Sequence, residues 1–411
     1  MSNFGLHEQS SKLAEIATGR DKDLFQQDWD ARRSELERAI GGRRLLVIGG
    51  AGSIGSAVVQ LLTDFEPESV HVVDQNENNL AELVRDLRSR ERGLEVRDFR
   101  ALPIDFGSSI MRRFLAHERP YDLILNFAAL KHVRSEKDVC SILQMLNTNV
   151  IKPWRFLEWI RDTQPEAAYF SISTDKAANP ANLMGASKRL MEHVMFVASP
   201  PARRASSRFA NVAFSDGSLL ASFVKRIEKH QPLACPQGTR RFFVSLREAA
   251  EICILSAICG PTRSIVIPRM DMRLDLRPVN EIAANFLRLR GFEPQYYVEE
   301  REARARVDAD VICCRYPLLL TKLDTTGEKP YEEFVGTGET TQEFGMSSLL
   351  AIPYKPVAET LVSGFVDAID TIIRDPLNSP SADKQTVVRM IAEVIPELHH
   401  DERGDNLDQR M

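Results

Sequence analysis

No apolar run in the sequence approaches the ~20 residues that span a bilayer, so no transmembrane helix is expected. Cysteine is sparse. Cys140, Cys235, Cys253, Cys259, Cys313 and Cys314 include no C-x-x-C pair, and the only close pair is adjacent in sequence. That argues against a disulfide framework and for reduced thiols in a cytoplasmic protein. A surplus of positive charge is missing too. With 53 Lys+Arg against 58 Asp+Glu the net charge is −5, which supplies no general attraction to nucleic acid or to an anionic membrane. Met1–Glu8 lacks the charged and apolar regions of a signal peptide. No His/Cys/Asp group has metal-ligand spacing, so no metal is expected. Internal repeats and low-complexity tracts are absent.

What is present is length, 411 residues, with an alternation of strand-like and helix-like segments. Leu45-Leu46-Val47-Ile48 is an apolar run suited to a strand buried on both faces. Gly49-Gly50-Ala51-Gly52-Ser53-Ile54-Gly55 follows, then a helical run from Ser56 to Thr63 and a second strand, Val70–Val73, ending at Asp74. Glycine lets backbone turn sharply and approach a pyrophosphate without a Cβ in the way, and the phosphate then rests on the free N–H groups of the helix start. Gly49, Gly52, Ser53, Ile54 and Gly55 are therefore candidate cofactor contacts. Asp74 stands where a carboxylate binds a ribose 2′-OH. Gln75-Asn76-Glu77 offers no arginine to a 2′-phosphate, which favours NAD over NADP.

Further strands are expected at 99–104, 123–128, 168–173 and 208–214, with helices at 78–91, 108–116, 142–161 and 184–197. Such alternation argues for a Rossmann-type, doubly wound parallel sheet of the α/β class. Residues 1–42 read as a helical extension docked through Leu24, Phe25, Trp29, Leu36 and Ile40. Residues 43–214 read as the NAD-binding domain and 215–345 as a smaller substrate-binding lobe, partly interleaved with it. That lobe would hold helices at 219–229, 246–259 and 279–290 and a strand at 264–267. Residues 346–411 read as an extension with a linker near 376–385 and a terminal helix at 386–398. The charged run 299–306 reads as a solvated helix face.

Ser173-Thr174-Asp175-Lys176 closes a strand and Met184-Gly185-Ala186-Ser187-Lys188 opens a helix. An acid beside an amine, at the strand end where nucleotide folds gather ligands, suits proton transfer next to a hydride carrier. Lys131-His132 follows the fourth strand on the same side, as a substrate contact or a loop charge. Glu136 reads as an exposed acid at a helix start, with a place facing the substrate as the alternative. Asn211, Lys225 and Arg241 are candidate diphosphate contacts, Arg241 foremost because guanidinium suits phosphate.

The glycine loop, Asn126–Val133, Asn147–Val150, Ser173–Lys188, Arg208–Ser218, Arg241-Phe242-Phe243 and Thr326–Lys329 together resemble an extended short-chain dehydrogenase/reductase. More narrowly they resemble the soluble UDP-N-acetylglucosamine 4,6-dehydratases of polysaccharide biosynthesis. The resemblance implies a lyase that converts a UDP-N-acetylhexosamine to its 4-keto-6-deoxy sugar, with tightly bound NAD regenerated in each turnover, acting as a homo-oligomer. It implies cofactor contacts for Asp105, Ala128 and Lys188, and substrate contacts for Lys131, His132, Met184, Asn211 and Arg241. Lys176 would take the C5 proton, which requires a neutral amine. Asp175 would handle the 4-OH proton, the 6-OH proton, or both, and Thr174 would bind the 4-OH. Met184 departs from the tyrosine usual in short-chain dehydrogenases, and a thioether does not usefully accept a hydroxyl proton. A 4-epimerase, or a non-catalytic NAD-binding regulator, is the alternative.

Overall fold

The computed structural model describes residues 6–131, 136, 138–198, 203–322, 329, 331–375 and 383–400. Six strands open the chain's large sheet: β1 (Arg44–Ile48), β2 (Ser69–Val73), β3 (Asp98–Leu102), β4 (Leu123–Asn126), β5 (Ala168–Ile172) and β6 (Arg203–Ser207). Next come β7 (Asn211–Val212), β8 (Leu233–Pro236), β9 (Arg240–Val244), β10 (Ser264–Pro268) and β11 (Leu276–Pro278). The last are β12 (Glu293–Tyr297), β13 (Arg315–Thr321) and β14 (Leu349–Pro353).

The large sheet runs β3-β2-β1-β4-β5-β6-β10-β14, parallel except for the antiparallel edge strand β14. Its first six strands follow the doubly wound order that places ligands at the strand C-termini. Leu45 and Val47 pack into one helical layer, Leu46 and Ile48 into the other. Burial on both faces is why β1 reads as an apolar run from Leu45 to Ile48, while β2 buries Ser69 and His71 among its valines. The fold is α/β, of Rossmann type, with a smaller lobe. In the lobe, β7, β9 and β11 form one small sheet and β8, β13 and β12 another. A separate apolar cluster including Phe223, Leu233, Ile282, Phe286 and Leu318 fills it.

Two expectations need correction. The strand expected at 208–214 is instead β6, five residues earlier, and only β7 falls in that range, in a different sheet. The sequence of β6, Arg-Arg-Ala-Ser-Ser, hides it because Arg203, Arg204 and Ser206 bond to carbonyls of neighbouring segments. Arg203 Nε donates to the Ala257 carbonyl at 3.2 Å and Ser206 Oγ to that of Ser171 at 2.8 Å. The helix expected at 142–161 is three segments: Val139–Leu146, a π turn at Asn147–Ile151, and Lys152–Thr163.

The strand at 264–267 exists, but as β10 it joins the large sheet, as does β14 from the C-terminal extension. The helix Leu246–Ile258 packs with them, buried throughout from Glu248. The N-terminal extension docks through Phe25, Trp29, Leu36 and Ile40, all buried. Its Asp28 carboxylate accepts the backbone N–H groups of Ser347 and Ser348 at 2.8 and 2.7 Å, just before β14. The terminal helix is Lys384–Val394, packed with Glu359–Arg374 against the layer that holds Ile142, Leu183 and Val194. Most of the expected linker lies outside the described residues. Among the described residues no helix is long and apolar enough to cross a membrane.

Candidate active site

A cleft of about 700 Å³ opens at the C-terminal ends of β1, β4 and β5. At one end, the turn after β1 holds Gly49 at φ +68°, in the left-handed region. A Cβ on Gly55 would sit 2.2 Å from the Gly49 carbonyl oxygen, so the fold itself demands glycine there. Gly52 differs: its φ is −75° and a Cβ would meet nothing closer than 3.5 Å. The fold does not require that glycine, but a closely approaching phosphate would. The helix Ser53–Thr63 starts at Gly52 without a side-chain cap, leaving N–H groups for an anion. Asp74 accepts the N–H groups of Ala51 and Asn76 at 3.1 and 2.9 Å, and Asn76 and Asn79 line the cleft beside it.

At the other end, β5 runs into a 3₁₀ turn, Asp175–Ala177. Asp175 is 2% exposed. Its Oδ1 accepts the Thr174 hydroxyl at 2.8 Å, the Lys176 N–H at 2.9 Å and Lys176 Nζ at 3.0 Å. Its Oδ2 is buried and has no partner. A buried acceptor left unmade is costly, and Asp175 is one of the residues that line the cleft. The helix Leu183–Val197 packs directly on this turn, since a Cβ on Gly185 would lie 2.5 Å from the Lys176 carbonyl oxygen. That helix delivers Met184 and Lys188 to the cleft. Lys188 Nζ donates to the Ile172 carbonyl at 2.6 Å, and burial pushes its ammonium down to about 8 against the opposing charge of Glu192.

Beneath the turn lies a buried ion network that sequence reading missed. Arg208 is fully buried and donates to Glu192 from Nε at 2.8 Å and from Nη2 at 2.7 Å. It also donates to Glu339 from Nη1 at 2.6 Å and from Nη2 at 2.9 Å. Glu192 Oε1 accepts the Ser173 hydroxyl at 2.6 Å, which ties the network to the segment leading into the Asp175–Ala177 turn. In the π turn, Asn149 accepts the Leu130 N–H at 2.9 Å and donates to Ser187 Oγ at 2.9 Å, joining the loop after β4 to the same helix.

Glu136 is not the exposed acid expected: it is 5% exposed and accepts the Met184 N–H at 2.9 Å. Burial raises its carboxyl above the ordinary carboxylate range. Glu332, not singled out by the sequence, is equally buried.

Gly49, Gly52, Ser53, Ile54, Gly55, Lys131, Thr174, Asp175, Lys176, Met184, Lys188 and Asn211 all line the cleft. Five candidates do not. Asp74 stands beside the lining residue Asn76, its carboxylate oxygens accepting the N–H groups of Ala51 and Asn76. Asp105 pairs with Lys152 Nζ at 2.6 Å and accepts the Gly107 N–H. Ala128 is held by Asn126 Oδ1, between the lining residues Phe127 and Ala129. Arg241 donates to the carbonyls of Arg240 and Lys329 at 2.9 and 3.0 Å. Lys225 is exposed on the helix Leu219–Glu228. His132 lies outside the described residues. Among the described residues no group of three His, Cys, Asp or Glu side chains is arranged to hold a metal.

A family model described as Polysaccharide biosynthesis protein matches residues 45–353. The chain is 33% identical over 237 residues to an uncharacterized membrane protein of Methanocaldococcus jannaschii, covering 56% of this chain and 67% of the relative. Against the inverting UDP-N-acetylglucosamine 4,6-dehydratase of Campylobacter jejuni it is 26% identical over 233 residues, 52% of this chain and 63% of that one. Against the UDP-glucose 4-epimerase of Rickettsia bellii it is 24% identical over 245 residues, 55% and 66% of the two chains. The chain thus spans about two-thirds of the length of these curated relatives. Among solved structures, Pen from Bacillus thuringiensis matches with a TM-score of 0.61 at 21% identity, covering 78% of this chain and 89% of that one. At that identity the likeness is one of fold.

Proposed function

This chain belongs to the polysaccharide biosynthesis protein family, and we propose that it is an NAD-dependent nucleotide-sugar 4,6-dehydratase, a lyase acting on a UDP-N-acetylhexosamine, UDP-N-acetylglucosamine foremost. The observation that carries the reading is the Asp175 carboxylate. One oxygen is saturated by Thr174 and Lys176, the other is buried and unpartnered, and the residue lines the cleft.

The cleft fits NAD: open space at Gly52, an uncapped helix start, and Asp74 with Asn76 and Asn79 rather than a cation at the ribose end. When bound, NAD supplies the acceptor for the C4 hydrogen and the source of its return to C6. The remaining chemistry is proton transfer. Met184 offers no hydroxyl, so Asp175 Oδ2 takes the 4-OH proton and later gives it to the departing 6-OH. Lys176 Nζ, against the other oxygen, takes the C5 proton once the neighbouring ketone has acidified it. Lys188 holds the nicotinamide ribose, Thr174 the substrate hydroxyl, and Lys131 and Asn211 the nucleotide side of the cleft.

A 4-epimerase uses the same C4 oxidation, and relatives of that activity match this chain at similar identity. It needs a hydroxyl base but no acid–amine pair, and this site has the pair, with Met184 where a tyrosine base would stand. Incubation with a panel of UDP- and GDP-hexosamines separates the readings by mass spectrometry. A product lighter by one water is expected. A product of unchanged mass with altered C4 would establish the epimerase, and no product with any sugar would leave a cofactor-binding regulator.

A further inference from the structure

Proton transfer needs the acid and the amine within hydrogen-bond reach of the protons they move. Both stand on a three-residue 3₁₀ turn, closed by the N–H groups of Ala177 and Ala178 on the carbonyls of Thr174 and Asp175 at 3.1 Å. A turn this short has little stiffness of its own. Its placement depends on what holds the chain that enters it.

The three residues entering it are each fastened to the helix Leu183–Val197. Ser171 Oγ donates to Met191 Sδ at 2.9 Å, the Ile172 carbonyl accepts Lys188 Nζ at 2.6 Å, and Ser173 Oγ donates to Glu192 Oε1 at 2.6 Å. The Ser173 N–H is held by the sheet as well, donating to the Ser207 carbonyl at 2.8 Å. Ser173 is therefore fixed from two sides, and Thr174 and Asp175 follow it directly.

The carboxylate that grips Ser173 is itself immobilised. Glu192 is fully buried and accepts Arg208 through both oxygens and Arg189 Nη1 at 3.2 Å. Arg208 is clamped in turn to Glu339 and to the Phe334 carbonyl, and Glu339 Oε2 accepts the Gly336 N–H at 2.7 Å. Side chains from the helix, from the end of β6 and from the segment before β14 thus converge on one serine hydroxyl. Buried ion pairs return little net stability for their desolvation, whereas a hydrogen bond to a charged group in a dry site is short and directional. The network is better suited to fixing a position than to strengthening the fold.

We propose, on the dehydratase reading and deepening it, that Ser173 is a positioning residue through which the Arg208–Glu192–Glu339 network sets where Thr174, Asp175 and Lys176 stand against the substrate. Ser173 moves no proton in the reaction, since its hydroxyl hydrogen is committed to Glu192. It acts through the residues that follow it.

Full-length Ser173→Ala and Ser173→Thr variants test this against the wild type with UDP-N-acetylglucosamine. Alanine removes one oxygen and leaves Glu192 paired with Arg208, so the fold is retained. Its kcat should fall roughly 10–100-fold, because misplacements of ~1 Å cost on that scale, and KM should stay within about twofold, since ground-state binding is untouched. NAD affinity, read by calorimetric titration, should not change. Threonine keeps the hydroxyl and should return most of the rate. If threonine does not fold, Ser173→Cys, a weaker donor, should fall between serine and alanine. An alanine variant whose loss lies wholly in KM overturns the proposal, being the mark of a direct substrate contact. So does a kcat loss that neither threonine nor cysteine relieves, the mark of a packing defect. A wild type that removes water from no nucleotide sugar overturns the dehydratase reading and this inference together. An active wild type with an indifferent alanine variant overturns this inference alone.

Discussion

Replacing Lys188 with methionine should stabilise the cofactor-free protein at neutral pH, and by an amount that pH controls. The lysine is 5% exposed, and its ammonium donates to the neutral carbonyl of Ile172. Burial lowers it from its ordinary 10.5 to about 8, so each native molecule carries a desolvation penalty. At ~1.4 kcal/mol per unit, the penalty is about 3 kcal/mol. Its sign follows from proton counts. Between pH 8 and 10.5 the unfolded chain holds the proton and the folded chain does not, so stability rises with pH across that window. Below 8 both states are protonated and the full cost applies. Methionine keeps the length of the side chain and removes the charge. It forfeits the bond to Ile172, about 1 kcal/mol. The net expectation is a gain of about 2 kcal/mol at pH 7 that shrinks above pH 8 and becomes a loss of about 1 kcal/mol by pH 10.5. Urea unfolding of both proteins at several pH values measures this, with NAD removed because bound ligand adds its own stability. A variant less stable than the wild type at every pH, or a difference that pH does not change, would refute the reasoning.

Other substitutions probe the cofactor end and the buried network. Gly52→Ala should fold with stability nearly unchanged, since its Cβ has room, yet lose roughly tenfold or more in NAD affinity; calorimetric titration reads this. Gly55→Ala should instead lower stability by about 1–3 kcal/mol, because backbone must shift away from the Gly49 carbonyl. Arg208→Met should cost about 3 kcal/mol, as it leaves the buried acids Glu192 and Glu339 to share Arg189 as their remaining cation; chemical denaturation checks it. Arg208 and its neighbours hold Glu339 at about 2 against an ordinary 4.5. The stability this contributes is complete above 4.5 and is lost as pH falls toward 2, so Glu339→Gln should flatten the acid limb of the stability curve.

Legibility in the sequence followed the range of the interactions. The turn from β1 into Ser53–Thr63 was readable because local sterics dictate it: Gly49 has a positive φ and Gly55 abuts Gly49. The acid and amine of Asp175-Lys176 were readable as neighbours on a strand end. β6 was not, because hydropathy cannot register arginines and serines whose partners are carbonyls of distant segments. Glu339 could not be placed either: it meets Arg208 across 131 residues, and no spacing rule reaches that far. Glu136 was misread for the same reason. A helix-start acid and a buried acid gripping Met184 look alike until the helix Leu183–Val197 is in position.

The central claim is that Lys176 and Asp175 move protons at C5 and O6 of a bound sugar. Turnover of UDP-N-acetylglucosamine in heavy water tests it most directly. The Lys176 side chain is 20% exposed and its N–H groups exchange with solvent. The product should therefore be lighter by one water, carry one deuteron at C5, and carry none at C6, whose new hydrogen comes from C4. Full activity in Lys176→Ala, or a dehydrated product with no deuterium at C5, would contradict the assignment.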